Sequence, residues 1–451
     1  MTDTMINRRD FLTTTALLAG GSAVQLACGK KVPASGDAGA NAEAGRFRQR
    51  RDLLENARKN IAQLRQGEAV VRVVNRKGEP LVDVHVAVKQ LNHAYRFGCY
   101  LTFRELKPDH RPVYQENFQR LFNYATVGVY WSLIQSVPSN ADWAQVKPEI
   151  EWALSQQIRV KGHPLVWGAN KAGVPRWLPQ SKGALEAAMK QRVQDAVSRF
   201  RGKVSVWDVV NEPLDGGLFE EVLGSGYLSQ AFHLAREADP QAQLVLNEYG
   251  IFSREAKRRD QFFNLLKKLK AEDLPCDAVG IQAHEPRTEW FDPVTVVNTL
   301  NQFADLGKQL HITEFTAQAN TDTAITGGYR QGTWDEKAQA DYYREFYTLC
   351  FGHPQVEAIT AWGLDDERAW IKECALLDQR WQQKLAYQAL NRLLNNEWRT
   401  MSEGRMTKDE YPLRGFYGDY EVSVRLRDNY EVKRPFSLRQ GEKNEWRIEV
   451  A

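Results

Sequence analysis

The chain has 451 residues, 43% of them hydrophobic, and its 60 basic residues nearly balance its 57 acidic ones. This length is sufficient for one large domain with accessory segments. A net charge of +3 provides no strongly basic face for nucleic acid or for an anionic membrane surface. We therefore expect a globular protein whose partner is not a nucleic acid.

Residues 1–28 have the features of an export signal. NRRDFL, with Arg8 and Arg9, precedes a stretch of apolar and small residues, and this order resembles a twin-arginine signal. Leu-Ala-Cys ending at Cys28 resembles a lipoprotein cleavage site and makes Cys28 a candidate lipid anchor. An unlipidated Cys28 is the alternative, because Gln25 stands where an aliphatic residue is usual. We expect an exported protein, either periplasmic or anchored at the outer membrane or cell surface.

The next segments predict a tether and two accessory elements. Residues 29–44 are small and polar, which is typical of a flexible tether, and residues 45–66 place apolar side chains at helical spacing. Residues 67–92 alternate apolar and polar side chains around a glycine-containing turn, which predicts a β-hairpin. Residues 410–451 predict further strands near 420–427, 430–437 and 445–450. Since neither terminal segment has enough strands to be stable alone, we expect both to form one small β-sandwich.

Between residues 93 and 398, an apolar strand followed by a helical pattern recurs eight times. The strands are RFGCYLTF, NYATVGVYW, RVKGHPLVW, VSVWDVVNE, AQLVLNEYG, AVGIQAHE, LHITEFT and AITAWGLDD. Helical patterns include 184–200, 254–271, 335–350 and 380–396. This alternation predicts an α/β fold, a (β/α)8 barrel. An open, doubly wound sheet is the alternative, but the first strand lacks the glycine-rich phosphate turn of that fold.

Polar residues end six of these eight strands, where a barrel of this class carries its active site. The residues are His163 and Trp167; Asn211 and Glu212; Asn247, Glu248 and Tyr249; Gln282 and His284; Glu314; and Trp362, Asp365 and Asp366. Two carboxyl groups at one barrel mouth suit glycoside hydrolysis, in which one protonates the leaving oxygen and the other attacks or activates water. The glutamates at these strand ends are therefore catalytic candidates.

Five segments carry a family resemblance. GHPLVW, WDVVNEP, GIQAH, HITEFT and ITAWGLDDERAW occur in this order within residues 95–395, and together they resemble glycoside hydrolase family 10, the endo-β-1,4-xylanase family. The resemblance implies retaining hydrolysis of β-1,4-linked plant polysaccharide, xylan first, without a cofactor. Glu212 resembles the general acid/base and Glu314 the nucleophile, with carboxyl groups about 5 to 5.5 Å apart.

The resemblance also implies a set of substrate-binding residues. Asn211 resembles the residue that binds the 2-hydroxyl of the sugar on the nucleophile side. The others are His163, Trp167, Gln282, His284, Trp362 and Trp370. We add Tyr249 from its position at the end of the fifth strand. We expect a monomer acting on a β-linked polysaccharide or oligosaccharide.

The chain departs from the family pattern after the second strand. A Glu-Asn-Glu-Met-Lys-Trp run that holds the non-reducing-side xylose is usual there, whereas this chain has TVGVYWSL, residues 126–133. Gly128, Val129 and Ser132 stand at the Glu, Asn and Lys positions. Tyr130 and Trp131 are either a stacking platform for sugar or core residues, and the sequence leaves both readings open.

Two further departures concern the third and seventh strands. Gly168 stands where the family has a second histidine, and Thr316 stands where an aspartate usually partners the histidine beside the nucleophile. The candidates for replacing that aspartate as the partner of His284 are Asn320, Asp322 and Asp335.

Three other functions remain as alternatives. The first is an exported polysaccharide-binding lipoprotein with little or no hydrolysis, and the second is a glycosidase acting on a non-xylan β-glycan. The third is a metal-dependent hydrolase using His163 and His284, although the chain has no His-x-His or HExxH spacing. Cys99, Cys276, Cys350 and Cys374 form no CxxC pair, so we expect buried thiols and no metal site.

Overall fold

The computed structural model describes residues 36–284, 289–326, 330–426 and 430–450. The predicted signal, Cys28 and the start of the predicted tether lie outside the described residues. The chain divides into two units, residues 1–49 and 50–451. None of the described helices combines the length and the apolar character that a membrane span requires.

The helices are α1 Gly36–Leu64, α2 Arg111–Leu121, α3 Trp131–Ile134, α4 Lys147–Ser155, α5 Lys182–Arg199, α6 Leu218–Leu223, α7 Tyr227–Ala238, α8 Ala256–Ala271, α9 Pro293–Ala304, α10 Glu336–Phe351 and α11 Leu385–Arg392. The strands are β1 Gln66–Val74, β2 Val84–His93, β3 Arg96–Leu101, β4 Tyr124–Gly128, β5 Arg159–His163, β6 Val204–Asn211, β7 Gln243–Glu248, β8 Ala278–Ala283, β9 Gln309–Phe315, β10 Val356–Ala361, β11 Met401–Met406, β12 Tyr411–Phe416, β13 Gly418–Arg425, β14 Glu431–Leu438 and β15 Glu445–Glu449.

Strands β3 to β10 close into a parallel barrel in the order β10-β3-β4-β5-β6-β7-β8-β9. The eight strands are those expected from the sequence, and the (β/α)8 prediction is confirmed. Strands such as β8 are buried at every position, and β6 at every position but Ser205, because the barrel interior covers one face and the surrounding helices cover the other. Because both faces of these strands are buried, their sequences are almost continuously apolar.

The terminal segments form two sheets, ordered β12-β1-β15 and β11-β2-β13-β14. Val71, Val86, Val422 and Trp446 belong to one buried cluster that spans both sheets, so the expected joint element of the two termini is present. The predicted hairpin of residues 67–92 is wrong, however. Strand β1 pairs with β12 and β15, whereas β2 pairs with β11 and β13. Alternating residues predict strands but do not select their partners.

Two element boundaries differ from expectation. Helix α1 begins at Gly36 instead of residue 45, where alanine-rich sequence favours a helix over a flexible tether. The C-terminal β segment begins at Met401 instead of residue 410, because β11 is a largely exposed strand without a clear apolar alternation. Cys99, Cys276, Cys350 and Cys374 are free and buried, as predicted.

Candidate active site

Glu212 follows the last residue of β6 in an unusual backbone conformation. Its φ is 54° and its ψ is 54°, in the left-handed region that non-glycine residues rarely adopt. Its backbone N–H donates to the Asn247 carbonyl (2.8 Å), and the Leu214 N–H donates to the Glu248 carboxylate (3.0 Å). These bonds to the end of β7 hold a sharp turn, and strain of this kind is common at functional sites.

The Glu212 carboxyl group accepts two hydrogen bonds from neighbouring strands. The Trp167 indole donates to Oε2 (2.9 Å), and the Gln282 amide donates to Oε1 (2.9 Å). Burial raises the pKa of Glu212 to about 8; the charges of Glu314, Glu248 and Asp215 add to the rise, while the Gln282 bond opposes it. Glu212 therefore retains its proton at neutral pH, as a general acid must.

Glu314 lies on β9 and is 4% exposed. Its Oε1 accepts from the Asn247 amide (2.8 Å), and its Oε2 lies 3.0 Å from Nε2 of His284. Burial favours the protonated form, but the charge of His163 and the hydrogen bond and charge of His284 outweigh it and lower the pKa of Glu314. The environment thus keeps Glu314 ionised while Glu212 stays protonated.

Amide side chains from β7 and β8 connect the two carboxyl groups. The Asn247 amide bonds Glu314 and also donates to Oδ1 of Asn211 (2.7 Å), while the Gln282 amide that bonds Glu212 lies 3.5 Å from the same oxygen. The Thr313 hydroxyl donates to the side-chain Oδ1 of Asn247 (2.6 Å) and fixes the orientation of that amide. Both carboxyl groups are thus positioned by the same hydrogen-bond network.

His163 contacts a buried ion pair formed by Lys161 and Asp208. Nδ1 of His163 and Nζ of Lys161 lie 2.8 Å and 2.7 Å from Oδ2 of Asp208. Burial alone favours the protonated carboxyl group, but the Lys161 ammonium and the His163 bond hold the pKa of Asp208 below its usual value. Because Asp208 binds Nδ1, the ring orientation of His163 is fixed beside the cleft.

Thr316 itself takes the place of the aspartate expected beside His284. Its hydroxyl lies 2.9 Å from Nδ1 of His284. The side chain of Asn320 accepts from the Asp322 N–H, and the Asp335 carboxylate caps α10, so these two side chains serve local turns instead. An uncharged hydroxyl orients the imidazole but, unlike a carboxylate, does not favour its cationic form.

We expect Thr316→Ala to lower kcat/KM about 2- to 10-fold, because a neutral hydrogen bond contributes about 0.5 to 1.5 kcal/mol. The acidic limb of the pH profile moves to higher pH, because a less well oriented His284 stabilises the ionised form of Glu314 less. Thr316→Ser retains the hydroxyl and serves as the matched control, with near-wild-type rates. Equal losses in the Ala and Ser variants would show that the methyl group, and not the hydroxyl, is what matters.

Aromatic rings line the site around the two imidazoles. Trp362 contacts His163 and His284 edge-on (5.2 and 6.1 Å between centroids), and Trp370 contacts His284 (4.9 Å). Tyr130 and Trp131 lie in different environments. Tyr130 is half-exposed and packs on His163 and Trp167, whereas Trp131 is 1% exposed and stacks on Phe219 in the core.

Tyr249 lies on the Glu212 side of the site. Its hydroxyl donates to Asp215 (3.2 Å), and the Arg258 guanidinium covers its ring at 3.6 Å. Arg258 also binds Glu248 (2.7 Å), whose pKa burial raises to about 7 against the opposing effect of Arg258. Tyr249 therefore belongs to a charged network adjoining the acid.

Nine predicted site residues make direct hydrogen-bond or ring contacts with one another. They are His163, Trp167, Asn211, Glu212, Gln282, His284, Glu314, Trp362 and Trp370. The prediction omitted the positioning roles of Asn247, Asp208 and Lys161. An isolated charge inside a buried strand, as in VSVWDVV, is a usable signal, because such a charge needs a partner.

No group of three or more His, Cys, Asp or Glu side chains is placed to hold a metal ion in the part of the chain that the structure describes. The carboxyl groups of the site are instead paired with indole, amide and imidazole groups.

Comparison with known proteins agrees with this geometry. The model of glycosyl hydrolase family 10 matches residues 87–393. The chain is 30% identical over 346 residues to endo-1,4-beta-xylanase B of Thermotoga neapolitana, covering 73% of this chain and 96% of that protein. It is 26% identical over 402 residues to the anti-sigma-I factor RsgI6 of Acetivibrio thermocellus, covering 86% of this chain and 49% of that protein.

Among solved structures, xylanase 10B from Thermotoga petrophila RKU-1 in complex with xylobiose is similar, with a TM-score of 0.59 and 27% identity. The match covers 67% of this chain and 95% of that one. The family model alone spans more than half of the chain. The chain therefore belongs to glycosyl hydrolase family 10 and is a glycosidase.

Proposed function

We propose that the protein hydrolyses β-1,4-linked plant polysaccharide with retention of anomeric configuration, as an endo-β-1,4-xylanase, with Glu212 as acid/base and Glu314 as nucleophile. The observation that carries the proposal is a pair of buried carboxyl groups joined by one hydrogen-bond network, with Glu212 bonded to Trp167 and Gln282 and Glu314 bonded to Asn247 and His284. In this setting the pKa of Glu212 is raised to about 8 and that of Glu314 is lowered. The xylanase names of the relatives favour xylan as the substrate.

The reaction proceeds in two displacements. A Glu314 oxygen attacks the anomeric carbon, the bond to the glycosidic oxygen breaks, and Glu212 gives its proton to that oxygen as the shortened chain leaves. Glu212 then removes a proton from water, the water oxygen attacks the same carbon, and the bond to Glu314 breaks. Asn247 and His284 hold the two oxygens of Glu314, so that the nucleophile is oriented before substrate arrives.

The binding-protein alternative uses the same cleft without chemistry. Capture of a sugar requires neither a buried, ionised nucleophile nor a protonated carboxyl group, and maintaining two such groups in a buried site is energetically unfavourable. The presence of both therefore supports hydrolysis.

The test is reducing-sugar release by the mature protein and by Glu314→Ala from xylan, arabinoxylan, mixed-linkage glucan, cellulose and aryl β-glycosides. We expect release from xylan that the variant abolishes. Release from another glycan alone would retain the mechanism and change the substrate. Polysaccharide binding without release from any substrate would overturn the proposal in favour of the binding protein.

We further propose export by the twin-arginine signal in residues 1–28 and lipid anchoring at Cys28, on the sequence pattern alone. Radiolabelled palmitate is expected to label the wild-type protein in the membrane fraction, whereas Cys28→Ser stays unlabelled and soluble in the periplasm. Equal fractionation of both proteins would overturn the anchoring. Export is tested separately with Arg8→Lys combined with Arg9→Lys, which retains the protein in the cytoplasm.

A further inference from the structure

After the first displacement, one part of the substrate stays bonded to Glu314 and the other part leaves with the proton of Glu212. The contacts of the site distinguish the side of the cleft that holds the first part, the retained side, from the leaving side. In the covalent intermediate, the retained sugar is bonded to Glu314. The retained side of the cleft is therefore the side whose groups contact His163 and His284, the imidazoles around Glu314. Trp362 contacts both His163 and His284. Glu212 lies at the boundary between the two sides: Trp167, which contacts His163, bonds its carboxyl group, and the network of Tyr249 adjoins it and extends toward the leaving side.

Two tyrosines extend the wall on the retained side. Tyr100, near the end of β3, packs on Trp362 with 4.6 Å between ring centroids. Tyr130, after β4, contacts His163 edge-on (5.7 Å) and continues to Trp167 (6.3 Å). All four of these tyrosine and tryptophan side chains are partly exposed, and their ring contacts group them around His163 and Trp362.

Gly128 ends β4 directly beneath the two tyrosines. A Cβ atom there would lie 2.5 Å from the Tyr100 hydroxyl and 2.6 Å from the Tyr130 ring, so the phenols already occupy the space that a side chain would fill. Val129 and Trp131 are buried. Residues 128–131 thus bring no carboxylate, amide or ammonium group to this end of the cleft, and phenol rings stand in their place.

We propose that Tyr100 and Tyr130 determine specificity on the retained side, where they enclose a single sugar ring by aromatic packing. This inference rests on the proposed function. Polar side chains along a cleft recognise each additional sugar through its hydroxyl groups. Aromatic side chains that are packed against one another instead contact mainly the one sugar ring that lies beside them. A second retained sugar therefore adds little to transition-state binding, and longer substrates are recognised chiefly on the leaving side.

The direct test compares 4-nitrophenyl β-xyloside, which places one sugar on the retained side, with 4-nitrophenyl β-xylobioside, which places two. We expect wild-type kcat/KM values that differ by no more than about tenfold, the equivalent of roughly one net hydrogen bond. A wild-type preference for the xylobioside of about a hundredfold or more would overturn the proposal.

Variants of Tyr130 separate ring packing from a general structural effect. Tyr130→Ala is expected to lower kcat/KM for the xyloside about tenfold. It also opens space in the cleft and so increases the preference for the xylobioside over the xyloside. Tyr130→Phe keeps the aromatic ring and is expected to have kcat/KM values near those of the wild type. Tyr430→Ala, at an exposed tyrosine preceding β14, is the control and leaves both rates unchanged. Unchanged xyloside hydrolysis in Tyr130→Ala would contradict the proposal.

If neither glycoside nor xylan is hydrolysed, the proposed function is contradicted, and binding then tests the inference by itself. Calorimetry with xylose and xylobiose is expected to give dissociation constants within about tenfold of each other, with Tyr130→Ala weakening both. Binding of xylobiose about a hundredfold tighter than xylose, or binding indifferent to Tyr130→Ala, would overturn the inference.

Discussion

Glu314→Ala is expected to lower kcat by about four orders of magnitude or more on every substrate that the wild-type protein cleaves. Removing the nucleophile eliminates the covalent intermediate, and removal of such a group from other hydrolases has effects of this order. The measurement is initial rate with aryl β-glycosides and with xylan. Glu431→Ala, at an exposed carboxylate on β14, is the matched control and retains wild-type rates.

The space that Glu314→Ala vacates allows a second measurement, the anomeric configuration of a product formed with azide. Alanine leaves a cavity beside the Asn247 amide and the His284 imidazole, which both point at the lost carboxylate. Azide entering that cavity attacks the anomeric carbon from the former nucleophile's face, so proton NMR is expected to show an α-glycosyl azide. A β-glycosyl azide, or undiminished hydrolysis, would assign the nucleophile elsewhere.

Glu212→Gln is expected to lower kcat/KM on xylan about 10²- to 10⁴-fold, the usual contribution of general acid catalysis. The amide has the size of the carboxyl group, but its NH2 group cannot accept a hydrogen bond, so its single oxygen keeps only one of the bonds from Trp167 and Gln282. The change removes the proton and one of these two bonds. Substrates with a dinitrophenolate leaving group need no protonation; for them the first step stays fast and deglycosylation slows. A burst of released phenol followed by slow turnover is the expected trace.

The pH dependence identifies the same group. With the pKa of Glu212 raised to about 8, wild-type kcat/KM falls as the pH rises through about 8, because the acid loses its proton. The low pKa of Glu314 keeps the nucleophile ionised, so the acidic limb lies below the usual glutamate value. In Glu212→Gln the alkaline limb disappears. Azide in Glu212→Ala, which leaves room for the anion, gives a β-glycosyl azide; an α product, or an alkaline limb that persists in Glu212→Gln, would contradict the assignment.

Much of the fold was predictable because burial on both faces leaves a strong sequence signal. The eight apolar runs gave the eight barrel strands, and the five ordered segments identified the family. The same reasoning failed at the termini. Alternation in residues 67–92 identified two strands but suggested they pair with each other, whereas each pairs with C-terminal strands more than 300 residues away in sequence.

The sequence by itself determined the barrel, the family and the two carboxylates at strand ends, because these depend on local pattern and spacing. Only the tertiary structure decided that Thr316 partners His284, that Asn247 bonds Glu314, and that Tyr130 packs on His163 while Trp131 packs in the core. The opposite pKa shifts of Glu212 and Glu314 likewise arise from burial and from charges on other strands. Such properties depend on distances between residues far apart in the chain, which closure of the barrel fixes and local sequence does not encode.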